Sequence, residues 1–191
     1  KIIEIALANI PGFGPSNPIG DGKSFLAYWP ALIDSSHITE YVHVDGETIE
    51  VSPTSQHGLP LVVADFEPAT VSAAPSGDTV GIPFGRLFGT RSGDKGGCAN
   101  VGAWAKNDEA YGFLHSFLTI ERLKTLLPDT AEFEIDRYEL TNVRSLNFFI
   151  KGILGEGVAS SVRTDPQAKT LGEYLRAKII DVPATLAAQV K

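Results

Sequence analysis

One stretch concentrates groups capable of chemistry: Arg91-Ser92-Gly93-Asp94-Lys95-Gly96-Gly97-Cys98-Ala99-Asn100-Val101-Gly102. Glycines at 93, 96 and 97 permit positive φ and close backbone approach, so several N–H groups can converge on an anion or a polarised carbonyl. Ser92, Gly93 and Gly96 would then touch the bound group. Asp94 can move a proton if partial burial raises its pKa, and the Lys95 ammonium can stabilise an oxyanion. Arg91 can clamp a carboxylate or phosphate with two parallel hydrogen bonds. The plain alternative is a tight turn between strands, closed by pairing Asp94 with Arg91 or Lys95. Arg91 has further structural partners in Asp136 or Glu139 on a neighbouring strand.

Other polar residues extend the candidate set. Asn100, Asn142 and Asn147 sit near apolar segments, where an amide must hydrogen-bond either backbone or ligand. Cys98 is a nucleophile if dipoles lower its pKa, and otherwise a small buried hydrophobe. Lys151-Gly152 with Gly155-Glu156-Gly157 offers a second anion-binding turn or a glycine-closed helix end. Phe25, Tyr28 and Trp29 either plug a core or interface, or line a substrate cleft together with Asn9, Pro11 and Gly12. The four histidines, at 37, 43, 57 and 115, lack metal-ligand spacing, so no protein-built metal site is expected. No Walker loop, dinucleotide fingerprint or GxSxG elbow is present, which argues against a nucleotide enzyme or an α/β hydrolase.

The elements that must hold these groups read as follows. Ile82–Thr90 predicts one strand before the glycine segment, and Val101–Ala105 a second after it. Asn107 or Asp108 caps a helix running through Phe117. Thr119 caps another, stopped by Pro128. Glu132–Leu140 alternates as a strand whose phase shifts between Ile135 and Tyr138, predicting a bulge or burial on both faces. Arg144–Leu154 fits either a helix or a strand. Val158, Ser160 and Val162 alternate as a strand. Asp165-Pro166 starts a helix with Leu171, Tyr174, Leu175 and Ile179 on its buried stripe. From Val182 a short helix or an unstructured tail is expected.

Upstream, Tyr41–Val51 carries Asp45-Gly46, the signal for a two-residue type I′ turn. Pairing Val44 with Glu47 sets Val42 opposite Ile49 and leaves His43 facing solvent. Ser35 or Ser36 caps a turn near Ile38, and Leu59–Ala64 suits an edge strand. A boundary near residue 78 divides a segment over 1–78 from a compact unit over 79–191. Strands and helices mixed within the latter indicate an α+β, two-layer sandwich of sheet and helices.

Bulk properties narrow the partners. A net charge of −7 argues against nucleic acid. No run approaches the ~18 apolar residues needed to span a bilayer. A single cysteine excludes an intrachain disulfide. The sequence holds no methionine and starts on Lys1, so it is expected to be part of a longer protein.

Arg91–Gly102 resembles the RSGDKG-(D/N)-x-x-N-(I/V)-G signature of the acyclic terpene utilisation family, the AtuA-like proteins. Arg137-Tyr138-Glu139-Leu140-Thr141-Asn142 with Leu146-Asn147-Phe148 resembles that family's RYELPN…LNF segment, and Leu154–Val158 its LGGGV. Ala8–Phe13 and Tyr28-Trp29-Pro30 resemble the end of its large N-terminal domain. Gly97 departs from the signature, standing where Asp or Asn is usual.

The resemblance implies a ferredoxin-like fold for 79–191, with the β-rich part of 1–78 belonging to a larger α/β domain. It also implies a cytoplasmic enzyme acting on branched isoprenoid-type acids or their CoA thioesters, with hydratase, lyase or isomerase chemistry. Asp94, Lys95 and Arg91 would be its catalytic residues, and no separate cofactor would be needed. The expected partners are the small acid or acyl-CoA, the N-terminal portion from the same or another chain, and further copies in a homo-oligomer. The competing expectation is a noncatalytic docking or oligomerisation module.

Overall fold

The computed structural model describes residues 20–22, 24, 26, 30–51 and 69–190. Asp45 and Gly46 both take positive φ, 50° and 82°, closing β1 (Glu40–Val44) onto β2 (Glu47–Val51). Val44 faces Glu47 and Val42 faces Ile49, the expected register. His43 is exposed, with Nδ1 2.8 Å from Thr48 Oγ1 on the same side of the ribbon. The short turn Ser35–His37 is capped by Asp34, not by a serine: its Oδ1 accepts from the Ser36 N–H. The edge strand expected over Leu59–Ala64 lies outside the described residues.

The single strand expected over Ile82–Thr90 is broken in two. β3 (Thr79–Pro83) pairs antiparallel with β8 (Ile179–Pro183). Pro83 has no N–H to continue a ladder, and the one-turn helix α1 (Phe84–Leu87) follows, burying Phe84 and Leu87. β4 then runs Gly89–Lys95, so most of the presumed glycine loop is strand.

A four-stranded antiparallel sheet carries the candidate residues. Its order is β4, β5 (Cys98–Trp104), β7 (Ser145–Ile150), β6 (Ile135–Leu140). Ala99, Val101 and Ala103 alternate with Leu146, Phe148 and Ile150 on its buried face. They share one core with residues from α2 (Asp108–Phe117), α3 (Ile120–Leu126) and α4 (Leu171–Ala177), among them Leu114, Leu123 and Leu175. The result is an α+β, two-layer sandwich. Asn107 and Thr119 cap α2 and α3 as expected, accepting from the Ala110 and Arg122 N–H groups.

Of the two readings open for Arg144–Leu154, Ser145–Ile150 takes the strand: its apolar helical spacing is coincidental, because Phe149 lies on the face opposite Phe148. Three expectations are corrected. β6 pairs with β7 without a bulge, and the apparent phase shift arises because Tyr138 and Leu140 belong to the uncovered face. Residues 158–162 form turns, not a strand, with Ser160 and Ser161 N–H groups bonded to the Gly157 carbonyl. The helix expected from Pro166 starts only at Leu171, and it buries Leu171 and Leu175 while Tyr174 stays exposed and Ile179 falls in β8. A short helix, α5 (Ala184–Ala187), does close the chain's described part.

Candidate functional site

Side chains alternate across a strand, and the buried residues fix which face is which. Thr90 and Ser92 point to α4: Thr90 Oγ1 donates to the Gly172 carbonyl at 2.8 Å, and Ser92 Oγ accepts from the Gly172 N–H at 2.8 Å. A Cβ on Gly172 would lie 3.3 Å from the Arg91 carbonyl carbon and the Ser92 nitrogen, so a side chain there would push α4 and β4 apart by a few tenths of an ångström. Gly89, Arg91, Gly93 and Lys95 must therefore face the other way, onto the side of the sheet that no described helix covers.

The register then builds rows across this open face. Gly89, Trp104, Ser145 and Leu140 form one row; Arg91, Gly102, Asn147 and Tyr138 the next; Gly93, Asn100, Phe149 and Asp136 a third. The indole of Trp104 lies across Gly89, where a Cβ would come within 2.2 Å of it. Gly102, in the same row as Arg91 and Asn147, puts no side chain between them. Between adjacent rows Asn100 Nδ2 donates diagonally to Asn147 Oδ1 at 3.0 Å, leaving Asn100 Oδ1 and Asn147 Nδ2 free of any bond among the described residues. Trp104 and Tyr138, 41% and 51% exposed, flank this polar centre with apolar surface.

Charge on this face is unevenly distributed. Asp136 and Glu134 pair with Lys151, and Glu139, on the covered face, pairs with Arg137. Arg91 has none of its expected structural partners: among the described residues it makes no ion pair, and neither do Lys95 and Lys169. Lys169 was missed from sequence. Its ammonium lies 3.8 Å from where a Cβ on Gly93 would stand, so it reaches round the sheet edge above that glycine. No local pattern signals this, because the contact joins β4 to the turn before α4. Trp104 and Tyr138 were equally unsignalled as site residues until the buried face was known.

The predicted catalytic trio is not one site. Asp94 belongs to the covered side of β4 and borders a hollow of about 310 Å³ with Gly96, Gly157, Val158 and Ala159. Lys95 sits on the open side at the hairpin end, where its Nζ donates to the Asp94 carbonyl at 2.9 Å. Nor do the backbone amides form a cradle. Lys95 pairs with Cys98 around the two-residue turn Gly96-Gly97, and Gly93 pairs with Asn100 in the same ladder, so the inward amides bond to β5. Ser92 is a buried structural hydroxyl rather than a substrate contact. Gly96, with φ 61°, serves the turn. Cys98 is partly buried and accepts from the Gly152 N–H at 3.4 Å. Asn142 lies apart, exposed on the 3-10 turn Thr141–Val143. Tyr28 and Trp29 lie outside the described residues.

Gly97 explains its own departure from the signature. A Cβ there would stand 2.1 Å from the Gly155 carbonyl oxygen, and the Gly97 carbonyl itself accepts from the Leu154 N–H at 2.9 Å. The hairpin tip is thus packed on the Leu154-Gly155 turn.

On the covered face Arg137 anchors the sheet to the end of α2. Its Nε donates to the Leu118 carbonyl at 3.2 Å and its Nη2 to the His115 carbonyl at 2.8 Å, placing a cation at a helix C-terminus, where the dipole favours it. The His115 ring, 2.9 Å from Glu139, holds that carboxyl below its usual range, with Arg137 adding to the effect against the cost of burial. Burial, then Glu139, pushes the Tyr111 hydroxyl upward, so it stays protonated.

A hollow of about 730 Å³ lies elsewhere, between residues 74–79 and the α2–α3 turn. It includes none of the candidate site residues. Among the described residues no group of histidine, cysteine and carboxylates has the geometry to hold a metal ion, and no helix is long and apolar enough to cross a membrane.

Residues 82–181, just over half of the chain, match the family model for the AtuA ferredoxin-like domain. No curated protein and no solved structure matches.

Proposed function

Because the chain belongs to the AtuA ferredoxin-like domain family, we propose that the open sheet face binds the acidic end of a branched acyl substrate. That end is a carboxylate or a CoA thioester, in an enzyme of acyclic terpene-type metabolism. One observation carries this reading: Arg91, without a carboxylate partner among the described residues, shares the open face and the Gly102 row with Asn147, whose amide pairs with that of Asn100. The guanidinium supplies parallel donors to a carboxylate, or one to a thioester carbonyl. The free Asn147 Nδ2 supplies another donor. Trp104, Tyr138 and Phe149 offer apolar surface for a branched tail.

Hydration, elimination and double-bond migration next to an acyl group all build negative charge on the carbonyl oxygen, and donors placed at that oxygen lower the barrier. Arg91 and Asn147 suit that part. Asp94 does not suit the proton transfer, since the strand separates it from Arg91. In this reading the proton carrier comes from outside β4.

The test is calorimetric titration of the chain with 3-methylbut-2-enoic acid and its CoA thioester. Arg91→Gln is expected to weaken binding at least tenfold, the loss of a charge-assisted pair. Equal affinities for variant and parent would overturn the reading.

A docking role is the second reading, and one feature favours it. Tyr138, Leu140 and Val143 are all exposed where β6 turns into β7. If the acid does not bind and Leu140→Glu changes the molecular mass in light scattering, this face is an interface instead.

A further inference from the structure

The open face holds more positive charge than one carboxylate requires. Arg91 and Lys95 flank Gly93 on the same face of β4 and the Lys169 ammonium lies over it, and none of the three is neutralised by an ion pair among the described residues. The acidic groups nearest in sequence are engaged or turned away. Asp165 accepts from the N–H groups of Lys169 and Thr170, Glu173 pairs with Arg176, and Asp94 lies on the covered side of the strand.

Lys169 is also held in place. Its N–H bonds to Asp165 Oδ1 at 3.0 Å, and its carbonyl accepts from Ser92 Oγ at 3.0 Å. Both anchors are on its main chain, so the ammonium is left to reach over Gly93. Gly93 itself is buried beneath the Lys169 ammonium, so an anion would be held by the cations above the strand and not by its backbone. In a chain of net charge −7, such a concentration of cations attracts anions locally while the remainder of the surface repels them.

We infer that Arg91, Lys95 and Lys169 form a phosphate subsite above Gly93, and that the ligand of the open face is a diphosphate-bearing conjugate rather than a free acid. This deepens the proposed function and rests on its reading of the open face. Gly93 is the register partner of Asn100, so the subsite adjoins the Asn100–Asn147 pair directly. Trp104 of β5, whose indole lies across Gly89 one row beyond Arg91, offers a flat surface on which a planar or prenyl group can lie. Two sources share the chemistry: the diphosphate of a CoA thioester and that of an isoprenyl diphosphate.

The experiment is calorimetric titration of the full chain with inorganic pyrophosphate, coenzyme A, dimethylallyl diphosphate and 3-methylbut-2-enoic acid, at low and high salt. The three diphosphates are expected to bind at least tenfold more tightly than the acid, and to weaken steeply as salt rises. Lys169→Gln should weaken pyrophosphate roughly tenfold and leave the acid unchanged. Lys124→Gln, on the helical layer, should alter neither. Coenzyme A binding more tightly than dimethylallyl diphosphate assigns the nucleotide source, and the reverse the prenyl one.

Pyrophosphate binding equally to parent and Lys169→Gln, or no more tightly than the acid, would overturn the phosphate subsite while leaving the acid-binding reading intact. Pyrophosphate binding that depends on Lys169, with no acid or acyl binding at all, would do the opposite. Thermal melts of Lys169→Gln are expected to match the parent, because its anchoring hydrogen bonds are on the backbone.

Discussion

Asn100 Nδ2 donates to Asn147 Oδ1 at 3.0 Å across the β5–β7 ladder, on the face that no described helix covers. The bond is diagonal, joining Asn100 in the Gly93 row to Asn147 in the Arg91 row. This relationship fixes which way both amides point, and with them which donor and acceptor remain for a ligand.

Asn147→Asp tests that relationship most directly. The new carboxylate keeps the acceptor for Asn100 and stands across Gly102 from Arg91, where it becomes the partner that Arg91 lacks among the described residues. Stability is expected to stay within about 0.5 kcal/mol of the parent. Acid binding is expected to fall at least tenfold, because the guanidinium is occupied and a like charge sits in the site. Urea unfolding and calorimetry on one sample separate the two effects. Retained acid affinity would show that Arg91 and Asn147 do not share a ligand.

Gly97→Asn restores the side chain usual in the signature and is expected to destabilise this chain by about 1–3 kcal/mol. The clash is with backbone, the Gly155 carbonyl oxygen, which cannot swing aside as a flexible side chain would. Gly96→Asn is the control. Nothing lies within 4 Å of its Cβ, and asparagine tolerates its φ of 61°. Its cost is expected to be below about 1 kcal/mol. Equal melting temperatures for the two variants would mean that the tip is not packed on the Leu154-Gly155 turn.

Ser92→Ala removes a hydroxyl that accepts from the Gly172 N–H and donates to the Lys169 carbonyl. The Gly172 N–H is buried and would lose its partner, at a cost of about 1–3 kcal/mol. Because Lys169 is tethered through the same oxygen, pyrophosphate affinity should also fall, while Thr90→Val, which breaks only the bond to the Gly172 carbonyl, should leave it unchanged. Chemical unfolding with parallel titrations checks both. Ser92→Ala binding pyrophosphate as the parent does would remove the tether from the account.

The outcome of reading this chain from sequence follows the range of the interactions. Asp45-Gly46 dictated a hairpin and its register because the turn needs nothing beyond its own backbone. Asn107 and Thr119 announced their helices because a cap acts three residues away. The segment 91–102 shows the limit of local reading. Three glycines suggested a loop, whereas pairing with β5 extends the strand through Lys95, and only the ladder reveals that Asp94 and Arg91 face opposite ways. Arg91, Asn100 and Asn147 did come together, since the strands carrying them are neighbours. Lys169 was beyond reach: its position depends on how the turn before α4 closes on the β4 edge. Tyr138 and Leu140 misled for a related reason, as apolar residues on an uncovered face imitate a broken alternation.

Acid should loosen the molecule partly through Glu139. Its carboxyl is held below the usual range by His115 first and by Arg137 next, against the opposing effect of burial. The folded-state pKa is thus lower than the unfolded one. The carboxylate's contribution to stability is complete above the unfolded value, near ~4.3, and is lost as pH falls through the folded value. Glu139→Gln removes this titration while keeping a polar side chain of similar shape. Its stability should therefore decline less steeply than the parent's below about pH 4.5, with the two curves parallel at higher pH. Solvent reaches Glu139, whose side chain is 42% exposed, so the offset on the plateau is expected to stay near or below about 1 kcal/mol. Urea midpoints measured from pH 3 to pH 7 decide the matter. Parallel curves over the whole range would show that Glu139 carries no native-state pKa shift and that Arg137 holds the end of α2 through its two carbonyl contacts alone.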